Sequence, residues 1–61
     1  MNNMSTAVQV KRIIDYQYKG YELYLKVQLD DGSKKTMKYT ILKDIDPVRT
    51  HLYMDRHKIK P

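Results

Sequence analysis

From Tyr21 to Leu29 apolar and polar positions alternate without a break: Tyr21, Leu23, Leu25, Val27 and Leu29, with Glu22, Tyr24, Lys26 and Gln28 between them. A period of two places the first set on one face of a β-strand, whereas a helix would scatter it around its circumference. Asp30-Asp31-Gly32-Ser33 follows at once. Asp-Gly between alternating segments predicts a hairpin, because glycine supplies the positive φ that a tight turn requires. Beyond it Lys35, Met37, Tyr39 and Ile41 alternate with Lys34, Thr36, Lys38 and Thr40, which predicts a second arm reaching Ile41.

Upstream, Val8–Tyr16 is rich in β-branched residues and predicts a first strand, joined to the central one through a turn at Tyr18-Lys19-Gly20-Tyr21. Adjacent Ile13 and Ile14 break its alternation. Either a bulge sits there, or the strand is covered on both faces where it curls across the sheet. Such a bent first strand is what a small barrel needs.

The pattern changes after Ile45. Asp46 is a good N-cap and Pro47 suits the first helical position, where its missing N–H costs nothing. A helix is therefore predicted from Asp46-Pro47 to about His57, with Val48 and Leu52 as its inward stripe and Tyr53 or Ile59 joining them. Ile45 is expected to anchor the preceding loop. The fold class expected is α+β: a small, curled, three-stranded antiparallel sheet with a C-terminal α-helix, in one domain over 8–61 after a flexible lead-in over 1–7.

Composition narrows the chemistry. The chain has 61 residues and no cysteine, so neither a disulfide framework nor a thiolate zinc site can brace it. Its hydrophobic content of 41% suffices for a core. No apolar run approaches the ~20 residues of a membrane span, and Met1–Ala7 is polar, without the features of a signal peptide. A soluble intracellular protein is expected, nuclear if eukaryotic and cytoplasmic if bacterial or phage. The formal net charge is +5, from 12 Lys+Arg against 7 Asp+Glu, which favours acidic partners.

No catalytic constellation stands out. Ser5 and Ser33 have no histidine near them in this reading, Gly20 and Gly32 are turn residues, and Asp30 and Asp31 are exposed acids. His51 and His57 are six apart, on opposite sides of a helix, and make no metal site. No enzyme, metal or cofactor is expected.

Three stretches resemble the chromo-like family, which covers the chromodomain and the chromo shadow domain. Val10-Lys11-Arg12-Ile13-Ile14-Asp15 looks like the family's opening strand, Glu22–Val27 like its central strand, and Pro47 with Leu52-Tyr53-Met54-Asp55-Arg56 like the shadow domain's terminal helix. The resemblance implies a small SH3-like or chromo-like barrel that binds proteins. A chromodomain surrounds methyl-lysine with three aromatic rings, but the matching positions here are Val8, Val27 and Asp30. With that cage absent, methyl-lysine reading is not expected. A shadow domain dimerises through its terminal helix. Its contact positions would match Thr50 or His51, and its terminal tryptophan Ile59.

Two functions compete. The first is a protein-interaction module that binds a partner, or a second copy, by sheet edge or C-terminal helix. A chromatin-associated domain or a small phage or bacterial protein docking on a host protein would both fit. Its candidate surface is Val8, Val10, Leu52, Tyr53 and Ile59, with Val10 and Leu52 the two that core packing would explain better. The alternative is nucleic-acid binding without strong sequence specificity, on a sheet face carrying Tyr24 and Lys26 with Lys34, Lys38 and Lys11 on neighbouring strands. Tyr16, Tyr18, Tyr21 and Tyr24 bracket the first turn, either as an interaction patch or as core-edge packing.

Overall fold

The computed structural model of the protein describes residues 9–60; the lead-in and Val8 lie outside them. Strands β1 (Val10–Lys19), β2 (Glu22–Leu29) and β3 (Lys34–Lys38) are followed by helices α1 (Tyr39–Ile45) and α2 (Pro47–His57). The sheet order is β1-β2-β3, antiparallel throughout. β1 and β3 are its two edges and do not pair. The curled barrel expected from the sequence is therefore not formed; the sheet stays open, because the chain leaves it for α1 after only five residues of β3.

Both turns follow from glycine. Gly20 and Tyr21 form a two-residue loop between the paired Lys19 and Glu22, with Gly20 at φ +63° in the first central position. At the second turn Gly32, φ +91°, donates its N–H to the Leu29 carbonyl at 3.0 Å, and the Leu29 N–H returns to Ser33 at 2.8 Å. This is a three-residue loop ending in a left-handed glycine. The Asp31 carboxylate accepts from the Ser33 N–H and hydroxyl at 2.9 and 2.6 Å, and these bonds hold its pKa below the ordinary aspartate value.

Two bulges set the phase of β1. Pairing advances from Val10↔Leu29 to Arg12↔Gln28, and from Ile13↔Val27 to Asp15↔Lys26, so Lys11 and Ile14 are surplus residues. Their effect is to bring Val10, Ile13, Tyr16 and Tyr18 opposite Leu29, Val27, Leu25 and Leu23. A spacing that looks irregular in sequence thus becomes one face in the sheet. The Ile13-Ile14 doublet is a bulge, not a doubly covered segment.

That inner face receives both helices, α1 over β2 and β3, α2 against β1. The buried hydrophobic core is Leu23, Leu25, Val27, Leu42, Met54 and Ile59. Full burial of a side chain such as Leu25 or Leu42 contributes about 1.5–3 kcal/mol. Half-buried Tyr39 and Tyr53 touch both ends of the core and join them.

The second arm stops at Lys38, three residues short of the Ile41 expected from alternation. The reason is Leu42, which is fully buried together with half-buried Tyr39. A strand would send residues 39 and 42 to opposite faces; a helix places i and i+3 together. Nothing in the sequence announces this start, since the N-cap Lys38 makes no side-chain bond.

α2 begins as predicted. The Asp46 carboxylate accepts from the Arg49 N–H at 3.1 Å, and Pro47 follows at the first helical position. The face it buries is not the predicted one. Thr50, 1% exposed, and Met54 point inward, whereas Val48 and Leu52 are 68% and 60% exposed. Thr50 faces α1, its hydroxyl donating to the Leu42 carbonyl at 3.3 Å. Ile45, expected to anchor the loop, is also exposed.

The end of α2 explains Ile59. Lys58 adopts the left-handed conformation at φ 55°, its N–H donates to Asp55 at 3.2 Å, and the Ile59 N–H donates to Met54 at 2.9 Å. These two bonds form the Schellman arrangement, whose characteristic apolar contact joins the residues that Ile59 and Met54 occupy.

Candidate docking surface

The residues proposed as a partner-binding surface separate once placed. Val10 is half-buried against Leu25, Val27 and Leu42. Tyr53 is half-buried, and Ile59 belongs to the core. Val8 lies outside the described residues, and among the four described only Leu52 lies openly on the surface, so it is not the core residue that packing would have made it. Its neighbour there is Val48, one turn earlier, whose exposed position the sequence reading missed.

Val48 and Leu52 form an apolar ridge along α2 with a groove on each side. One groove, of about 770 Å³, lies between α1 and α2, with Tyr39, His51, Met54 and Ile59 among its walls. The other, of about 360 Å³, lies between α2 and β1 and is bounded by Ile13, Arg49, Tyr53 and Arg56. Both grooves include Val48 and Leu52. Ile41 and Ile45 on α1 are exposed as well. Thr50, one of the positions matched to shadow-domain contacts, is buried; His51 is exposed.

Arg49 fixes how α2 meets the sheet. Its Nε lies 3.0 Å from the Asp46 carboxylate, and its Nη1 donates to the Lys11 carbonyl at 2.8 Å. One guanidinium therefore ties the helix cap to the first bulge. Beyond it, Tyr53 and His57 lie with ring centroids 4.2 Å apart, and Tyr16 approaches both at 6.4 Å. Burial, then the Asp15 charge, then Tyr16 push the Tyr53 phenol above its ordinary pKa. The Tyr18 hydroxyl donates to the Lys60 carbonyl at 2.6 Å.

The four tyrosines around the first turn do not make one patch. Tyr16 and Tyr18 share the inner face at 6.3 Å, Tyr24 points to the outer face, and Tyr21 at the turn is fully exposed. His51 and His57 belong to no group of three or more His, Asp and Glu that could hold a metal among the described residues.

The alternative nucleic-acid set is brought together more completely. Lys38, Thr36 and Lys34 pair with Tyr24, Lys26 and Gln28, so Tyr24, Lys26, Lys34 and Lys38 share the outer face. Lys11, the surplus residue of the first bulge, has no partner in the ladder, so the register assigns it to neither face. Lys19, unforeseen because it was assigned to the turn, has its Nζ 5.2 Å from the Tyr24 ring centroid.

No protein-family model, curated protein or solved structure matches this chain. No helix among the described residues is long and apolar enough to cross a membrane.

Proposed function

We propose that the chain is a non-enzymatic protein-interaction module, and that its primary partner at α2 is a second copy of itself. The observation that carries this reading is the Val48–Leu52 ridge, exposed on the outer side of the helix and bordered by grooves with apolar walls. Ridge and groove on one surface are the two halves of an isologous contact, in which the same patch serves both subunits.

The resemblance to the shadow domain points the same way, with Val48, His51 and Leu52 taking the contact role in place of buried Thr50. Membership in the chromo-like family is part of this proposal, and the open sheet departs from the barrel that the family likeness implied.

Area sets the strength. Burying the exposed parts of Val48 and Leu52 from both chains yields on the order of 5 kcal/mol. Association costs at least about 4 kcal/mol. The groove walls and exposed isoleucines must supply the surplus, so the dimer is expected to be weak, with Kd on the order of 10–1000 μM. Sedimentation equilibrium across that range tests the reading: mass should rise from one chain to two. A single-chain mass throughout would reject the self-partner, and Leu52→Asp should keep the chain monomeric at every concentration.

A further inference from the structure

The outer face of the sheet is separate from the α2 ridge and carries different chemistry. Both helices pack on the inner face, so none covers the outer one. At its middle is Tyr24, half-buried on the central strand, with ring area open to that side. Lys26 lies two residues along on the same face, and exposed Lys34 and Lys38 stand on the adjoining strand, Lys38 directly opposite Tyr24. Lys19 approaches the ring from β1. The opposing charges here are Asp15, paired in register with Lys26, and Glu22, 3.9 Å from the Lys38 Nζ.

The geometry points to a binding site for single-stranded nucleic acid on this face, with one base stacked on Tyr24 and the backbone phosphates held by Lys26, Lys34 and Lys38. Three observations favour this ligand, two over an acidic protein and one over a duplex. An aromatic ring amid lysines offers both a stacking surface and phosphate contacts, the two elements sequence-tolerant single-strand binders combine. The lysines flank the ring along both strands instead of gathering at one point. The face is a shallow sheet and not a ridge, so duplex DNA would find nothing to insert in a groove. Lys19 already holds a cation over Tyr24, an arrangement a π-stacked base can share from the opposite edge or replace. Glu22 weakens the site by occupying Lys38, which makes its removal informative.

The test is fluorescence anisotropy of a labelled thymidine oligomer of about fifteen nucleotides, titrated with the full chain at several salt concentrations. Three phosphate contacts on a single strand predict a log–log salt slope of about −2, or about 20-fold weaker binding at 200 mM than at 50 mM salt. Lys34→Gln should reduce that slope by about 0.7. Tyr24→Ser should weaken binding about tenfold with the slope unchanged, and Tyr24→Phe should preserve it. Glu22→Gln should tighten it. All three side chains are at least partly exposed, and circular dichroism identifies any variant that has lost the fold. A slope near zero would overturn the site, as would undiminished binding by folded Tyr24→Ser. Equal affinity for a duplex of the same length, or equal displacement by polyglutamate, would overturn the single-strand assignment.

Discussion

Truncating Leu52 to alanine isolates the α2 ridge, because the side chain contributes more outside the fold than inside it. Leu→Ala removes three carbons, about 2.4 kcal/mol of transfer free energy at about 0.8 kcal/mol each. Leu52 is 60% exposed, so about 1.4 kcal/mol per chain is available to an interface and about 2.9 kcal/mol per two-fold dimer. The dissociation constant should rise about 100-fold. The buried remainder implies a loss of only about 1 kcal/mol in the stability of the single chain. Sedimentation equilibrium reads the first quantity and urea denaturation at low concentration the second. Tyr21→Ala serves as control, since that ring projects from the far turn at 106% exposure. If Leu52→Ala and Tyr21→Ala associate as the unaltered chain does, the ridge is not the contact.

Other consequences concern stability. Lys58→Gly should stabilise by about 0.5–1 kcal/mol, because glycine occupies the left-handed cap without a Cβ penalty; a lower Tm would contradict the cap assignment. Asp46→Ala should cost about 1–2 kcal/mol through loss of the cap, and its urea midpoint should fall accordingly. Thr50→Val should stay within about 1 kcal/mol of the parent, because the Leu42 carbonyl still accepts from the Asp46 N–H at 2.8 Å; Thr50→Arg, at the same buried position, should unfold the chain by circular dichroism. The raised Tyr53 pKa has a definite sign: the neutral phenol is favoured in the folded state, so its contribution is complete below about pH 10 and is lost as pH rises through the folded value. Alkaline titration of stability should therefore be flatter for Tyr53→Phe.

The hairpin was legible because two independent signals agreed: strict alternation from Leu23 to Leu29, and glycine at the positions needing positive φ. The start of α2 was legible for a similar reason, since Asp46 and Pro47 each favour it locally. Its rotation was not. Val48 and Leu52 make the more apolar i, i+4 pair, yet Thr50 and Met54 face inward, because Thr50 meets the end of α1 and Met54 meets Ile59 through the helix-ending bonds. Such a choice is made by tertiary contacts, not by the helix's own pattern. α1 was hidden because Tyr39 and Ile41 prolong the strand's parity, and only Leu42, next to them, has the wrong parity for a strand. The two sites differ for the same physical cause. The outer-face lysines followed from strand parity alone, whereas the α2 ridge depended on a rotation that parity does not determine.

The two surplus residues of β1 bear on how the molecule tolerates change in length. Deleting Ile14, or Lys11, would join residues already consecutive in the ladder and leave every inward side chain in place, while deleting Gln17 would turn the whole preceding segment inside out. The shortened strand would keep the fold but become straighter, presenting a flatter row of free amides at the sheet margin. Bulges of this kind discourage strangers from adding their own strands there, so a doubly trimmed protein should fold and yet precipitate, with the irregularities serving solubility more than shape.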